Sequence, residues 1–95
     1  MSSILLCTLN AKYIHASFGL RYLYANMGDL QSKTQVLEWT IHDDPFQIVE
    51  EIQNQEPQVV GFGVYIWNVH ETLAVIEILR NIAPHIWIVL GGPEV

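Results

Sequence analysis

The feature that most constrains the fold of this sequence is an alternation between short apolar runs and helical stripes. Continuous apolar runs occupy residues 4–9, 59–65 and 86–90, and an apolar/polar alternation occupies residues 35–41. Segments of this length are typical of strands. Between them, residues 17–27 carry apolar side chains at helical spacing, and Asp44-Pro45 and Asn68 provide start signals for two further helices. The predicted order is β-α-β-α-β-α-β.

Strands joined by single helical crossovers predict a parallel sheet with right-handed connections. The alternation in residues 35–41 places the second strand at an edge, whereas the other three runs are apolar on both faces. We therefore predict an α/β fold of three layers, a flavodoxin-like (Rossmann-type) parallel sheet with strand order 2-1-3-4. Because that fold has a fifth strand, we interpret residues 1–95 as one domain that is incomplete at its C-terminus, with no second domain.

Charge and cysteine content exclude several classes of function. Four Lys and Arg stand against ten Asp and Glu, for a net charge of -6. This balance provides no surface for a phosphate backbone or an anionic membrane. The single cysteine, Cys7, has no internal disulfide partner, and no apolar run reaches the roughly 20 residues of a membrane span. We predict a cytoplasmic protein that binds neither nucleic acid nor membrane.

Ligands of such sheets bind at the carboxyl ends of the strands, here the loops 10–16, 65–68 and 91–94. The first loop lacks the glycines of a dinucleotide-binding turn, and the strand ends lack the carboxylates of a phospho-accepting receiver domain. Gly61-x-Gly63 lies inside a strand, where we interpret the glycines as allowing close packing of a helix.

The three loops instead combine broad apolar side chains with polar groups and bare backbone. The residues predicted to form an apolar floor are Tyr13, Ile14, Tyr65, Ile66 and Trp67. Those predicted to make polar contacts are Asn10, Lys12, His15 and Asn68. The last loop, Gly91-Gly92-Pro93-Glu94, would let an extended ligand lie against backbone. This surface suits a large planar cofactor with a tail better than a small metabolite.

Three segments carry a resemblance to a known family: LNAKYIH (9–15), GFGVYIWN (61–68) and LGGPEV (90–95). In this order they resemble the N-terminal cobalamin-binding domain of radical S-adenosylmethionine proteins. The resemblance implies that the loops hold the corrin and that the nucleotide tail runs toward Gly91 and Gly92. It also implies a partner domain downstream in the same polypeptide, which would carry the iron–sulfur cluster and S-adenosylmethionine.

One departure from the wider cobalamin-binding family concerns the cobalt ligand. That family places Asp-x-His-x-x-Gly after strand 1, and its histidine ligates cobalt. Here Asn10 and Lys12 stand at those two positions, and His15 follows three residues later. The carboxylate that would orient a metal-bound histidine is also missing. We therefore predict that no residue of this chain ligates the metal.

The leading hypothesis is a cobalamin-binding module of a radical S-adenosylmethionine enzyme. We assign it no catalytic residue and expect no activity from this chain, because it has no nucleophile, acid–base pair or iron–sulfur ligands of its own. The alternative is a flavodoxin-like protein-interaction module without cofactor, and a flavin binder is a more distant third.

The last strand and the third helix predict self-association. Residues 86–90 would form an apolar edge, and the third helix is apolar around much of its circumference. We predict a homodimer through one of these two surfaces.

Overall fold

The computed structural model describes residues 3–10 and 18–92, with side chains for 3–10 and 21–92. The strands are β1 (Ile4–Asn10), β2 (Thr34–Thr40), β3 (Val59–Gly63) and β4 (Trp87–Gly91). The helices are α1 (Phe18–Ala25), α2 (Pro45–Asn54) and α3 (Val69–Ile82), with a 3-10 helix at Gly28–Lys33. Lys12, Tyr13, Ile14, His15, Pro93 and Glu94 lie outside the described residues.

The four strands form one parallel sheet in the order β2-β1-β3-β4. This confirms the predicted α/β class and strand order, including the edge position of β2. In the register, Gly61 lies between Leu6 and Val89, and the next row of the same face contains Thr8, Gly63 and Gly91. Partners in a row point to the same face, so the register fixes which side chains meet.

The core lies between the sheet and the two helices α2 and α3. The largest core side chains from the strands are Leu5, Leu9, Val60 and Phe62, and α2 and α3 contribute Ile48, Val49, Ile52, Val75 and Leu79. Helix α2 starts as predicted, because the Asp44 side chain accepts a hydrogen bond from the N–H of Phe46 at 3.0 Å. The apolar face of β2 also packs on this core, as its alternation predicted.

Helix α1 covers part of the opposite face of the sheet. It packs over β1 and β2, where Arg21 and Glu38 form an ion pair at 3.0 Å. On that face β4 is left with less cover, since Val89 is 55% exposed and Trp87 is 75% exposed. Trp87 therefore does not pack within the sheet.

Two boundaries differ from the sequence prediction. Strand β3 ends at Gly63 rather than residue 65. The bond from Val64 N–H to the carbonyl of Gly91 is the last of its ladder with β4, and the next N–H, that of Tyr65, turns to the side chain of Asn68. The helix predicted within residues 17–27 ends at Ala25, and Gly28, with a φ of 59°, begins the 3-10 helix. Among the described residues, no helix is long and apolar enough to cross a membrane.

Candidate cofactor cleft

A buried amide joins the carboxyl ends of β1 and β3. The side chain of Asn68 donates to the carbonyls of Leu9 at 2.9 Å and Gly63 at 3.2 Å, and it accepts from the N–H of Tyr65 at 2.8 Å. It has no exposed surface. Asn68 does precede α3, but its side chain makes no capping hydrogen bond. The predicted polar contact of Asn68 with a ligand is therefore corrected to a positioning role.

The two consecutive glycines at the end of β4, Gly91 and Gly92, have different structural roles. Gly92 has a φ of 109°, and a Cβ there would lie 2.5 Å from the carbonyl oxygen of Val64. A Cβ at Gly91 would meet nothing within 4 Å. The carbonyl of Gly91 accepts a hydrogen bond from Val64 N–H at 2.7 Å, which joins the end of β4 to the segment that follows β3. The fold requires glycine at 92, whereas at 91 the missing side chain leaves open space.

That open space belongs to a cleft of about 420 Å³ on the α1 face. Its floor includes Leu6, Gly61 and Gly63, and Leu23 and Met27 form the wall on the side of α1. The rest of the cleft is lined by Val89, Tyr65, Gly91 and Gly92. The lining is mainly apolar, and its polar atoms come largely from backbone.

The glycines of β3 create this cleft. Gly61 lies between Leu6 and Val89 in one row of the sheet, and Gly63 lies between Thr8 and Gly91 in the next. A Cβ at Gly61 would lie 3.3 Å from Leu6 Cδ2. The interpretation of Gly61-x-Gly63 as a helix-packing feature is therefore wrong, because both glycines line the cleft floor. The alternation of small residues in an otherwise bulky strand was the signal that sequence reasoning missed.

An aromatic pair stands at the carboxyl end of β3. The rings of Tyr65 and Trp67 stack with centroids 4.5 Å apart and planes within 5° of parallel. Trp67 is 48% exposed, and Ile66 between them is 76% exposed. Tyr65 also lines the cleft, and we call Tyr65, Ile66 and Trp67 the aromatic ledge. The other two residues predicted for the apolar floor, Tyr13 and Ile14, lie outside the described residues.

Two polar atoms near the end of β1 are buried without a partner among the described residues. They are the amide nitrogen of Asn10 and the hydroxyl of Thr8. Both side chains share the α1 face of β1 with Leu6, and both are almost fully buried. Buried donors are nearly always satisfied in native proteins, so these atoms call for an explanation such as a bound polar group.

Among the described residues, histidine, cysteine and acidic side chains do not gather in any group of three that could hold a metal ion. Burial raises the pKa of the Cys7 thiol far above its usual range, and Cys7 lies on the α2–α3 face rather than in the cleft.

Comparison with known proteins defines the class of this domain. The profile of the B12 binding domain family matches residues 4–95. The chain therefore belongs to the B12 binding domain family. No curated protein matches it.

A solved structure shares the fold. The crystal structure of a novel cobalamin-binding protein from Desulfitobacterium hafniense DCB-2 superimposes with a TM-score of 0.66 at 16% sequence identity. The match covers 98% of this chain and 45% of that protein, so this chain spans less than half of its length.

Proposed function

We propose that this chain is the cobalamin-binding module of a radical S-adenosylmethionine enzyme. In this proposal the ends of β1, β3 and β4 hold the corrin, and the cleft on the α1 face takes the nucleotide tail. The observation that carries it is the glycine-floored apolar cleft in a chain of the B12 binding domain family.

The cleft has the size and chemistry expected for a planar tail. Its volume of about 420 Å³ falls within the range of about 300–1,000 Å³ usual for cofactor sites. The floor lacks side chains at Gly61 and Gly63, so a flat ring system would lie directly against backbone. Leu23 and Met27 would cover it from the side of α1.

Two buried polar groups near the end of β1 would serve the edge of the same cofactor in this proposal. Cobalamin has amide side chains and a phosphate, which are rich in acceptor oxygens. The amide nitrogen of Asn10 and the hydroxyl of Thr8 are donors without a protein partner among the described residues. The aromatic ledge would support the apolar face of the corrin, and Lys12, Tyr13, Ile14, His15, Pro93 and Glu94 are proposed to complete the contacts.

When bound, cobalamin supplies methyl transfer and related alkyl chemistry at its cobalt. The residues of this chain bind and orient it. With Asn10 and Lys12 at the family's Asp and His positions, we propose that the chain provides no histidine ligand to cobalt. The electron paramagnetic resonance spectrum of the Co(II) form tests this, because a nitrogen ligand splits each cobalt line into a triplet. A triplet that disappears in His15→Ala would contradict the proposal.

Binding is tested by mixing the protein with hydroxocobalamin, desalting, and recording the visible spectrum. We expect the protein to retain the corrin with a shifted visible spectrum. A protein that retains no corrin would favour the interaction-module alternative. A protein that is yellow as purified would favour a bound flavin.

Gly91→Val fills open space in the cleft without a clash in the fold. We expect it to weaken binding of cobalamin at least about tenfold, since a ligand group is excluded from its site.

The matched ligand is dicyanocobinamide, which has the corrin without the nucleotide tail. Its binding should be unaffected by Gly91→Val, and an equal loss for both ligands would contradict tail binding in the cleft. Ala74→Val likewise introduces a valine, on an exposed part of α3, and serves as the control variant.

The radical S-adenosylmethionine part rests on the resemblance of the three loop segments. It is tested by sequencing the gene beyond codon 95 and assaying the anaerobically purified full product. A Cys-x-x-x-Cys-x-x-Cys motif, bound iron and formation of 5′-deoxyadenosine are expected. A product with retained cobalamin but without iron would keep the binding function and refute the enzyme class.

A further inference from the structure

The cleft on the α1 face differs in chemistry between its two ends. Three rows of that face pair a residue of β1 with one of β3, and from the amino ends of the strands they are Ile4 with Val59, Leu6 with Gly61, and Thr8 with Gly63. With a rise of about 3.3 Å per residue, the first and third rows are about 13 Å apart. We call the part beside the first two rows the amino half of the cleft, and the part from the third row to Gly92 the carboxyl half.

The carboxyl half lies next to two donors that have no partner among the described residues. They are the hydroxyl of Thr8 and the amide nitrogen of Asn10, on the same face of β1. Phosphate and sugar oxygens are acceptors, and a hydrogen bond to a charged oxygen is roughly twice as strong as one between neutral groups. The polar part of a nucleotide tail therefore fits this half of the cleft.

The amino half has no polar side chain on its floor. It is lined there by Ile4, Leu6 and Val59, and Gly61 has no side chain at all. The backbone adds nothing, because β1 lies between β2 and β3, and β3 lies between β1 and β4. The ladders therefore use the N–H and carbonyl groups of Leu6 and Gly61. A polar ring atom of a ligand finds no hydrogen-bond partner on this floor.

The wall on the side of α1 is apolar as well. It includes Leu23 and Met27, and the thioether of Met27 is only a weak acceptor. Arg21 is the one charged residue of α1, and Glu38 of β2 holds it at 3.0 Å. Because β2 lies on the other side of β1 from β3, this ion pair is directed away from the cleft. The described part of this wall therefore offers no donor and no strong acceptor to a ligand.

From this gradient we propose that the cleft selects among cobamides, the corrin cofactors that differ in the base of the nucleotide tail, by the polarity of that base. The inference rests on the cobalamin-binding function proposed above and specifies which tail the site takes. The phosphate and ribose lie in the carboxyl half beside Asn10 and Thr8. The base lies in the amino half, between the Leu6–Gly61 row and α1. A benzimidazole base has few polar atoms to leave unpaired there, whereas adenine brings an exocyclic amine and several ring nitrogens.

The polar atoms of adenine set the expected selectivity. A donor or acceptor that is buried without a partner loses the hydrogen bond that it made to water. An apolar pocket discriminates against a ligand of similar shape with one added polar group by up to about a hundredfold. We therefore expect the adenine-tailed cobamide to bind about tenfold to a hundredfold more weakly than cobalamin, whose base is a dimethylbenzimidazole.

The test is a titration of the protein, followed by the visible spectrum, with cobalamin, the adenine-tailed cobamide and the tailless dicyanocobinamide. The two bases also differ in how tightly they bind their own cobalt, and this difference cancels when one protein variant is compared with another. Met27→Gln provides an amide of similar size that can pair with the amine and a ring nitrogen of adenine. We expect it to narrow the ratio of the two cobamide dissociation constants about tenfold, whereas the apolar control Met27→Leu keeps the wild-type ratio.

The outcomes separate this inference from the function on which it rests. Equal dissociation constants for the two cobamides in the wild-type protein would overturn the selectivity and leave cobalamin binding in place. Leu23→Gln, at a half-exposed position of the same wall, is the second variant. A ratio that neither Met27→Gln nor Leu23→Gln changes would place the base outside the cleft and overturn the inference as well. A protein that binds none of the three corrins refutes both the inference and the proposed function.

Discussion

Replacement of Asn68 provides the most direct test of how the site is assembled. The Asn68→Ala variant removes one acceptor and two donated hydrogen bonds, leaving Tyr65 N–H and the carbonyls of Leu9 and Gly63 without this partner. Each buried group left unsatisfied costs about 1–3 kcal/mol. Since water entering the vacated space will satisfy part of the set, we expect a loss of about 2–5 kcal/mol in the free energy of unfolding.

This loss is a large share of the total free energy of unfolding of the domain. A chain of 95 residues at about 0.05–0.15 kcal/mol per residue has a stability of about 5–14 kcal/mol. In a domain of this size 1 kcal/mol shifts Tm by about 4–8 °C, so Tm should fall by at least about 8 °C. Thermal and urea unfolding followed by circular dichroism measure the change.

Thr72, one turn along α3, is the matched control. It is 1% exposed and its hydroxyl has no partner among the described residues. Thr72→Val therefore removes a buried polar group that makes no hydrogen bond, and it should be neutral or stabilising by up to about 1 kcal/mol. Equal losses in Asn68→Ala and Thr72→Val would refute the reasoning, because packing rather than hydrogen bonding would then explain both.

Asn68→Asp adds a test with a defined pH dependence. Its carboxylate would face the carbonyls of Leu9 and Gly63, so burial and repulsion raise its pKa in the folded state. The folded state then binds the proton more tightly than the unfolded state, whose pKa is about 3.9. Stability relative to Asn68→Ala should be greatest below about pH 4 and fall as pH rises. A flat difference between about pH 4 and about pH 7 would contradict a buried position.

Three further predictions follow from individual contacts. Gly92→Ala should lower the free energy of unfolding by about 2 kcal/mol or more, because residue 92 has a positive φ and its new Cβ would collide with Val64. Gly91→Ala should change the free energy of unfolding by no more than about 0.5 kcal/mol, and urea unfolding compares the two variants. Cys7, whose thiol pKa is raised by burial, should react with Ellman's reagent only after denaturation, and reaction of the native protein at neutral pH would disprove its burial. Glu38→Gln should cost less than about 1 kcal/mol in thermal unfolding, because the Arg21 side chain of the pair is 56% exposed.

The fold was predictable because its signals are local and repeated. Continuous apolar runs predicted the inner strands, the alternation of residues 35–41 predicted the edge position of β2, and Asp44-Pro45 predicted the start of α2. Each of these signals depends on the spacing of residues within one segment. The 3-10 helix was missed because a glycine that follows a helical stripe, as Gly28 does, is a usual signal for the end of a helix.

Topology indicated where the site should lie, and its use by a ligand stays a prediction. The loop after β3, identified in this way, presents Tyr65 stacked on Trp67 and the exposed side chain of Ile66. The cleft was missed because it depends on the register, which places Gly61 beside Leu6 and Val89. The role of Asn68 was missed for a similar reason: its partner Leu9 lies 59 residues away, and no local pattern indicates a contact across that separation.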